Sequence, residues 1–173
     1  MSVTDEVLNA NGNYARSFNL GQLPMPPARK LAIVACMDAR LTVEQVLGLK
    51  TGDAHIIRNA GGIVTEDALR SLIISQQLLG TEEVIIINHT DCGMLTFKDD
   101  ELRHKLEAKT GKNAATPTHF HAFDDVEENV RQQIARVNEH PWIPAHIPVR
   151  VFVYDVKTGH LHEVHEQAVR KAG

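Results

Sequence analysis

The amino-acid sequence predicts a three-layer α/β/α fold with a mostly parallel central sheet. Short apolar segments of strand length alternate along the chain with segments of helical periodicity. Two of the apolar segments, residues 31–35 and 84–87, are continuously apolar instead of alternating, which is typical of central strands in a parallel sheet. Open parallel sheets bind ligands at the carboxyl ends of their strands, so we expect the functional site there.

Length and charge limit the class of protein. A chain of 173 residues with 43% hydrophobic residues is long enough for one domain to bury a substantial core. Its 18 basic and 22 acidic residues give a net charge of -4, and no block of Lys and Arg is present. We therefore expect no nucleic-acid partner.

The sequence predicts no membrane segment. Residues 1–19 mix charged and polar residues with apolar ones and lack the continuous apolar core of a secretory signal. No apolar run approaches the roughly 20 residues that a spanning helix needs. We therefore expect a cytoplasmic protein with no membrane partner, in which Cys36 and Cys92 are thiols or metal ligands rather than a disulfide.

The first 28 residues are expected to form an arm outside the main sheet. Residues 2–18 show a loose helical pattern that Thr4 would cap and that Asn11-Gly12-Asn13 would interrupt. The proline-rich stretch 23–27 then prevents regular structure. We expect the arm, residues 1–28, to pack on a partner subunit, with packing on its own domain as the alternative. Residues 29–173 are expected to form a single catalytic domain.

Strands and helices alternate through the first half of this domain. Glycines or Ser/Thr side chains mark most of the predicted helix ends, with Thr42 and Thr65 as caps and Gly48 and Gly80 as terminators. The predicted elements are, in order, a strand at 30–36, a short helix at 42–47, a strand at 54–58, a glycine turn at 59–62 and a helix at 65–79.

The second half of the domain continues the same alternation. A central strand is followed by helices separated by a surface loop, and the chain ends in a hairpin. The predicted elements are a strand at 83–89, a helix at about 96–109, a loop at 112–121, a helix at 124–139, a strand at 149–156 and a hairpin arm at 161–164.

Metal-ligating side chains follow the ends of two of the buried strands. Cys36 ends the first strand, whereas His89 and Cys92 end the strand at 83–89 and the turn after it. Two thiolates and an imidazole suit tetrahedral zinc and leave one position open, as a catalytic zinc requires. The alternative is that Cys36 and Cys92 are ordinary buried thiols.

A carboxylate and a guanidinium lie beside the first cysteine. Asp38 and Arg40 are two residues apart, so an extended backbone places both side chains on one side, where they can form a fork-shaped pair. Such a pair can orient Asp38 as an acceptor for a zinc-bound water or hydroxide. A purely structural ion pair is the alternative.

The glycine turn is expected to lie near the same site. Gly61 and Gly62 indicate a sharp turn or a close approach of the backbone, which would bring backbone N–H groups and the apolar Ile63 and Val64 to the site. This combination suits a small, nonpolar substrate. A plain structural turn explains the glycines equally well.

Three motifs closely resemble the β-class carbonic anhydrases in order and spacing: Cys36-x-Asp38-x-Arg40, Asn59-Ala60-Gly61-Gly62 and His89-x-x-Cys92-Gly93. The resemblance covers about residues 30–97 and is greatest to the short, compact branch of the class. It implies zinc (Zn2+) bound by Cys36, His89 and Cys92, a catalytic dyad of Asp38 and Arg40, and a homodimer or homotetramer. It also implies a second state in which Asp38 takes the fourth zinc position and releases Arg40.

The resemblance implies zinc-dependent hydration of carbon dioxide to bicarbonate and a proton by a metal-bound hydroxide. Related enzymes with the same fold and motifs hydrolyse carbonyl sulfide or carbon disulfide, and the motifs do not separate these activities. Two positions depart from the family pattern, since Ala39 stands where many members have Ser and Met94 where the plant-like branch has a second Gly.

Other classes of function have less support. A regulatory zinc protein without activity would use the same ligands, whereas a nucleotide-binding protein would need a glycine-rich fingerprint that the first strand lacks. A cysteine phosphatase would need a longer loop between Cys36 and its arginine. The remaining candidates are expected to serve as surface, packing or capping residues: His119, His121, His160, His162, His165, His55 and Asp91.

Overall fold

The computed structural model describes residues 1–165. Its centre is a five-stranded sheet in the order β2-β1-β3-β4-β5. The first four strands are parallel, and β5 runs antiparallel to β4. The strands are β1 Leu31–Cys36, β2 Ala54–Asn59, β3 Glu83–His89, β4 Val149–Tyr154 and β5 Leu161–Glu163. The predicted α/β fold with a mostly parallel sheet is therefore confirmed.

The helices begin and end close to the predicted residues. Thr65 caps α3 by accepting a hydrogen bond from the Ala68 N–H, and Gly80 ends it in a left-handed conformation. The prediction for α4 was too long at its start, because residues 93–95 form a separate 3-10 turn and Lys98 is extended. The helices are α1 Val3–Ser17, α2 Val43–Leu47, α3 Glu66–Leu79, α4 Asp99–Thr110 and α5 Val126–Asn138.

The central strand β1 separates two apolar cores. Ala32 and Val34 point to a core that includes Leu72 of α3 and Val130 of α5. The alternate residues of β1 point to a second core, which α2 and the segment after Cys92 cover. All six residues of β1 are buried, as expected for a strand with a layer on each face.

The N-terminal helix differs from its prediction in two respects. Ser2, not Thr4, is the cap, because Asp5 lies three residues after Ser2 and completes a capping box with it. Asn11-Gly12-Asn13 does not interrupt the helix, which is continuous from Val3 to Ser17. None of its residues is buried, and apolar side chains such as Val7 and Tyr14 are more than half exposed. Packing of the arm on a partner stays a prediction.

The C-terminal part of the domain forms the predicted hairpin. Strand β4 ends at Tyr154, two residues earlier than predicted, because Asp155 accepts the backbone N–H groups of the turn at 157–158. The predicted domain continues to residue 173, and residues 166–173 lie outside the described part of the chain. No helix within residues 1–165 is both long enough and apolar enough to cross a membrane.

Candidate metal centre

Three potential metal ligands meet at the carboxyl edge of the sheet. Cys36 is the last residue of β1 and His89 the last residue of β3, and these two strands are parallel neighbours. Cys92 follows in the turn after β3. One ligand atom from each of Cys36, His89 and Cys92 lies within 4.8 Å of the others, and all three side chains are buried.

The imidazole of His89 is oriented for a metal ion. Its Nδ1 lies 2.8 Å from the backbone oxygen of Thr90, and because a carbonyl only accepts, Nδ1 carries the hydrogen. The lone pair is therefore on Nε2, which is fully buried and has no hydrogen-bond partner among residues 1–165. A buried, unpaired acceptor beside two sulfur atoms is costly without a ligand, so the donor set fits zinc.

The hydrogen bond between the two thiols shifts their pKa values in opposite directions. The pKa of Cys36 is lowered to about 4, first by a hydrogen bond from Cys92 and also by His89 and the backbone N–H groups of Asp38 and Gly61, despite burial. The pKa of Cys92 is raised well above its usual range by its hydrogen bond with Cys36 and by burial. Without a cation only one thiol ionises readily, whereas a divalent ion would compensate both charges.

Asp38 and Arg40 form a bidentate ion pair at the rim of this donor set. The Arg40 Nε and Nη2 groups donate to the two Asp38 carboxylate oxygens at 3.0 and 2.8 Å. These hydrogen bonds hold the pKa of Asp38 well below its usual range. Asp38 Oδ2 lies 3.6 Å from His89 Nε2, so the charged carboxylate faces the ligand atoms.

Asp91 belongs to the same cluster, although the sequence suggested only a loop cap. Its carboxylate accepts a hydrogen bond from Arg40 Nη1 at 2.8 Å, and its backbone oxygen accepts one from Nη2 at 3.0 Å. Arg40 is therefore held between Asp38 and the turn that carries Cys92. By contrast, His55 is the packed, hydrogen-bonded histidine that was predicted, with Nδ1 2.7 Å from Ser75 Oγ.

No local sequence pattern indicates the part played by Arg58. This residue of β2 donates from Nε and Nη2 to the Cys36 carbonyl at 3.0 and 2.8 Å, and from Nη2 to the Asp38 carbonyl at 2.7 Å. The guanidinium thus holds the backbone on both sides of Met37. Only the strand register, which pairs Arg58 with Ala35, brings it to this segment.

Replacing Arg58 by methionine is expected to weaken zinc binding by about 10-fold, because residues that orient metal ligands typically contribute that much. The variant removes the donors to the Cys36 and Asp38 carbonyls and keeps most of the side-chain volume. Competition with a chromophoric chelator measures the affinity. Arg70→Met is the control, since the one ion pair of Arg70 within residues 1–165 is with Asp67 on the exposed face of α3. Equal zinc affinity in both variants would refute the prediction.

The backbone of the glycine turn packs closely against both ligand-bearing strands, β1 and β3. Gly61 and Gly62 have φ values of 82° and 63°, which favour glycine. A Cβ on Gly62 would lie 2.9 Å from the Cys36 backbone nitrogen and 2.9 Å from the Ile87 oxygen. Ile63 and Val64 are buried, but Val64 belongs to the core under α3 and α5. A substrate pocket formed by these residues stays a prediction.

The chain matches known proteins over most of its length. A sequence model of the carbonic anhydrase family matches residues 31–161. Beta-carbonic anhydrase 1 of Mycobacterium tuberculosis is 52% identical over 165 residues, covering 95% of this chain and 99% of the relative. A carbon disulfide hydrolase of Acidithiobacillus thiooxidans is 36% identical over 162 residues, covering 83% and 81% of the two chains.

Solved structures agree with the sequence comparison. The carbonic anhydrase of Streptococcus mutans superposes with a TM-score of 0.89 at 45% identity, covering 95% of this chain and 99% of that one. The family model matches more than half of the chain. One relative is identical at about half of its residues over nearly its full length, and both findings indicate the same family. The chain belongs to the β-carbonic anhydrase family.

Proposed function

We propose that this protein is a zinc enzyme that catalyses the reversible hydration of carbon dioxide to bicarbonate and a proton. The observation that carries this proposal is the buried donor set of Cys36, His89 and Cys92 with the charged Asp38 carboxylate 3.6 Å from His89 Nε2. A zinc site that only stabilises a fold needs no carboxylate acceptor at its rim. Family membership, at 52% identity to a β-carbonic anhydrase, supports the same activity.

The proposed mechanism assigns a role to each residue of the cluster. Cys36, His89 and Cys92 would hold the zinc, and zinc bound there would bring the pKa of a water molecule toward neutrality and so supply the nucleophile. The Asp38 carboxylate accepts a hydrogen bond from the attacking oxygen and directs its lone pair to the carbon atom. Arg40 keeps Asp38 ionised and correctly rotated through its two hydrogen bonds.

We also propose the second state, in which Asp38 would become the fourth zinc ligand and its two hydrogen bonds with Arg40 would break. Its carboxylate already lies close to the ligand atoms, and Arg40 has a second acceptor in Asp91 that could hold it after release. Low pH would favour this state if the hydroxide that Asp38 displaces must take up a proton and leave as water. The state would block the position that the attacking water needs.

The substrate is expected to be small and nonpolar. We propose that Gly61, Gly62, Ile63 and Val64 border its pocket, since the backbone of the two glycines lies close to Cys36 and the other two residues are apolar. Carbonyl sulfide and carbon disulfide are linear triatomic relatives of carbon dioxide with a small or zero dipole moment. The 36% identity to a carbon disulfide hydrolase therefore makes hydrolysis of these molecules the alternative activity.

One preparation can test the activity and its alternative together. Purified protein is expected to contain about one zinc per chain and to accelerate carbon dioxide hydration more than hydrolysis of carbonyl sulfide or carbon disulfide. The three gases are offered to the same zinc-loaded sample, and a chelator-treated sample serves as the control. Faster turnover of either sulfur compound would replace the proposal by its alternative, and zinc without any turnover would indicate a nonenzymatic site.

We further propose that the protein works in the cytoplasm as a homodimer or homotetramer. The exposed apolar side chains of α1, including Val7, Leu8 and Tyr14, support an arm that covers a second copy of the chain. Sedimentation of the whole chain measures the assembly. Deleting residues 1–28 should yield a smaller species if the arm joins the subunits.

A further inference from the structure

Three buried amide side chains connect helix α5 to the end of strand β3. Asn88 precedes the potential ligand His89, and Asn129 and Gln133 lie one turn apart on α5. Their exposed fractions are 1%, 5% and 1%. Burial of a polar group is unfavourable unless its hydrogen bonds are made, so the partners of these amides indicate what the group does.

Every amide atom of this trio has a partner. Asn129 Nδ2 donates to Asn88 Oδ1 at 2.9 Å, and Gln133 Nε2 donates to Asn129 Oδ1 at 2.9 Å. At one end, Asn88 Nδ2 donates to the Gly61 carbonyl. At the other end, Gln133 Oε1 accepts the Val64 N–H at 2.9 Å. Because a carbonyl only accepts and an N–H only donates, the two ends fix the orientation of all three amides.

Both ends of the trio hold the same segment of backbone. Gly61 is the first of the two positive-φ glycines and Val64 lies two residues after the second, so the amides tie that turn to α5 and β3. The same turn lies against Cys36, because Gly62 has no side chain and its backbone can approach the Cys36 nitrogen. A continuous path of contacts therefore runs from α5 through the turn to Cys36.

The trio pairs the buried Gly61 carbonyl and Val64 N–H, two backbone groups that apolar side chains of similar size could not pair. Gln76 of α3 provides the contrast. It is also buried, but neither its nitrogen nor its oxygen has a partner among the described residues. The trio thus differs from Gln76 in that it is fully paired and ends on the turn beside Cys36.

We propose that Asn88, Asn129 and Gln133 are positioning residues that fix the Gly61–Gly62 turn against Cys36 and thereby set the zinc affinity of the site. The inference rests on the proposed zinc function, because it assigns these residues to the same metal centre. They contact neither the ligand atoms nor a substrate. Their effect passes through the backbone of the turn.

The test compares two glutamine-to-methionine variants of the full chain. Gln133→Met removes the hydrogen bonds to Val64 and Asn129 with little change in side-chain volume. We expect zinc affinity, measured by competition with a chelator, to fall by about 10-fold or more. We also expect the sulfur-to-metal absorption of the cobalt(II)-loaded protein to shift or weaken. Gln76→Met, which breaks no hydrogen bond, is the matched control and should leave both readouts unchanged.

A merely structural trio gives a different result. In that case Gln133→Met lowers the unfolding temperature while zinc affinity and the cobalt(II) spectrum equal those of the control, and the proposal is overturned. If Gln133→Met does not fold, Asn129→Ala, which keeps a good helix former in α5, is judged by the same readouts. If the unmodified protein does not hydrate carbon dioxide, the proposed function is refuted but the positioning role is not. Zinc affinity and the cobalt(II) spectrum do not depend on turnover.

Discussion

Replacing Asp38 by alanine is expected to slow carbon dioxide hydration by about 100-fold or more, the usual contribution of a group that positions or transfers a proton in a transition state. The variant loses the acceptor that orients the attacking oxygen but keeps Cys36, His89 and Cys92. Zinc content should therefore stay near one per chain. Stopped-flow hydration assays and metal analysis of the same sample measure the two effects.

Removing Arg40 should produce a related defect with a distinct pH dependence. Arg40 lowers the pKa of Asp38, so the carboxylate stays charged to lower pH in the parent than it would alone. In Arg40→Ala the pKa of Asp38 rises toward its ordinary value, and protonation of Asp38 begins at higher pH. At acid pH the rate of Arg40→Ala is therefore expected to fall more steeply than that of the parent, in addition to a fall in the maximum rate.

Asp67→Ala is the control for both dyad variants. Asp67 also pairs with an arginine, Arg70, but on the exposed face of α3 and away from the metal centre. Exposed ion pairs of this kind contribute little, about 0 to 1 kcal/mol, so rate and zinc content should match the parent. Near-parental activity of Asp38→Ala would refute the dyad assignment, and loss of zinc would make Asp38 a ligand rather than an orienting group.

The sequence predicts the sheet well because its strands carry a strong local signal. The six buried residues of β1 and the run in β3 are continuously apolar, and the ligands follow directly where these runs end. Because parallel neighbours bring their carboxyl ends to one edge, strand order is enough to place Cys36 beside His89. The fork between Asp38 and Arg40 is likewise local, since two residues separate them.

The features that sequence reasoning missed depend on distant partners. Asn88 and Asn129 are 41 residues apart, and nothing in either neighbourhood indicates that their amides meet. Arg58 is 22 residues from Cys36 and reaches it only through the strand register. The prediction of the α1 cap was wrong for another reason. Ser2 and Thr4 are both suitable N-cap residues, and the side chain of Asp5 decides between them.

Gly62→Ala is expected to damage both the fold and the metal centre, whereas Gly48→Ala should damage the fold only slightly. Both glycines have a φ of 63°, so both variants bear the cost of a left-handed alanine, about 1–2 kcal/mol. A methyl group on Gly48 meets nothing within 4 Å. On Gly62 it would lie 2.7 Å from Asn88 Nδ2 and 2.9 Å from the Cys36 nitrogen, and such overpacking adds about 1–3 kcal/mol.

The matched φ values let the pair of variants separate backbone strain from close approach. Urea unfolding of both variants in the presence of a chelator gives the change in the free energy of unfolding without a metal contribution. Gly62→Ala should be the less stable by the overpacking cost, and its zinc affinity should fall by about 10-fold because the methyl group displaces the turn from Cys36. Equal losses in the two variants, with unchanged zinc affinity, would mean that Gly62 is present only for its φ and that the turn does not position the metal ligand.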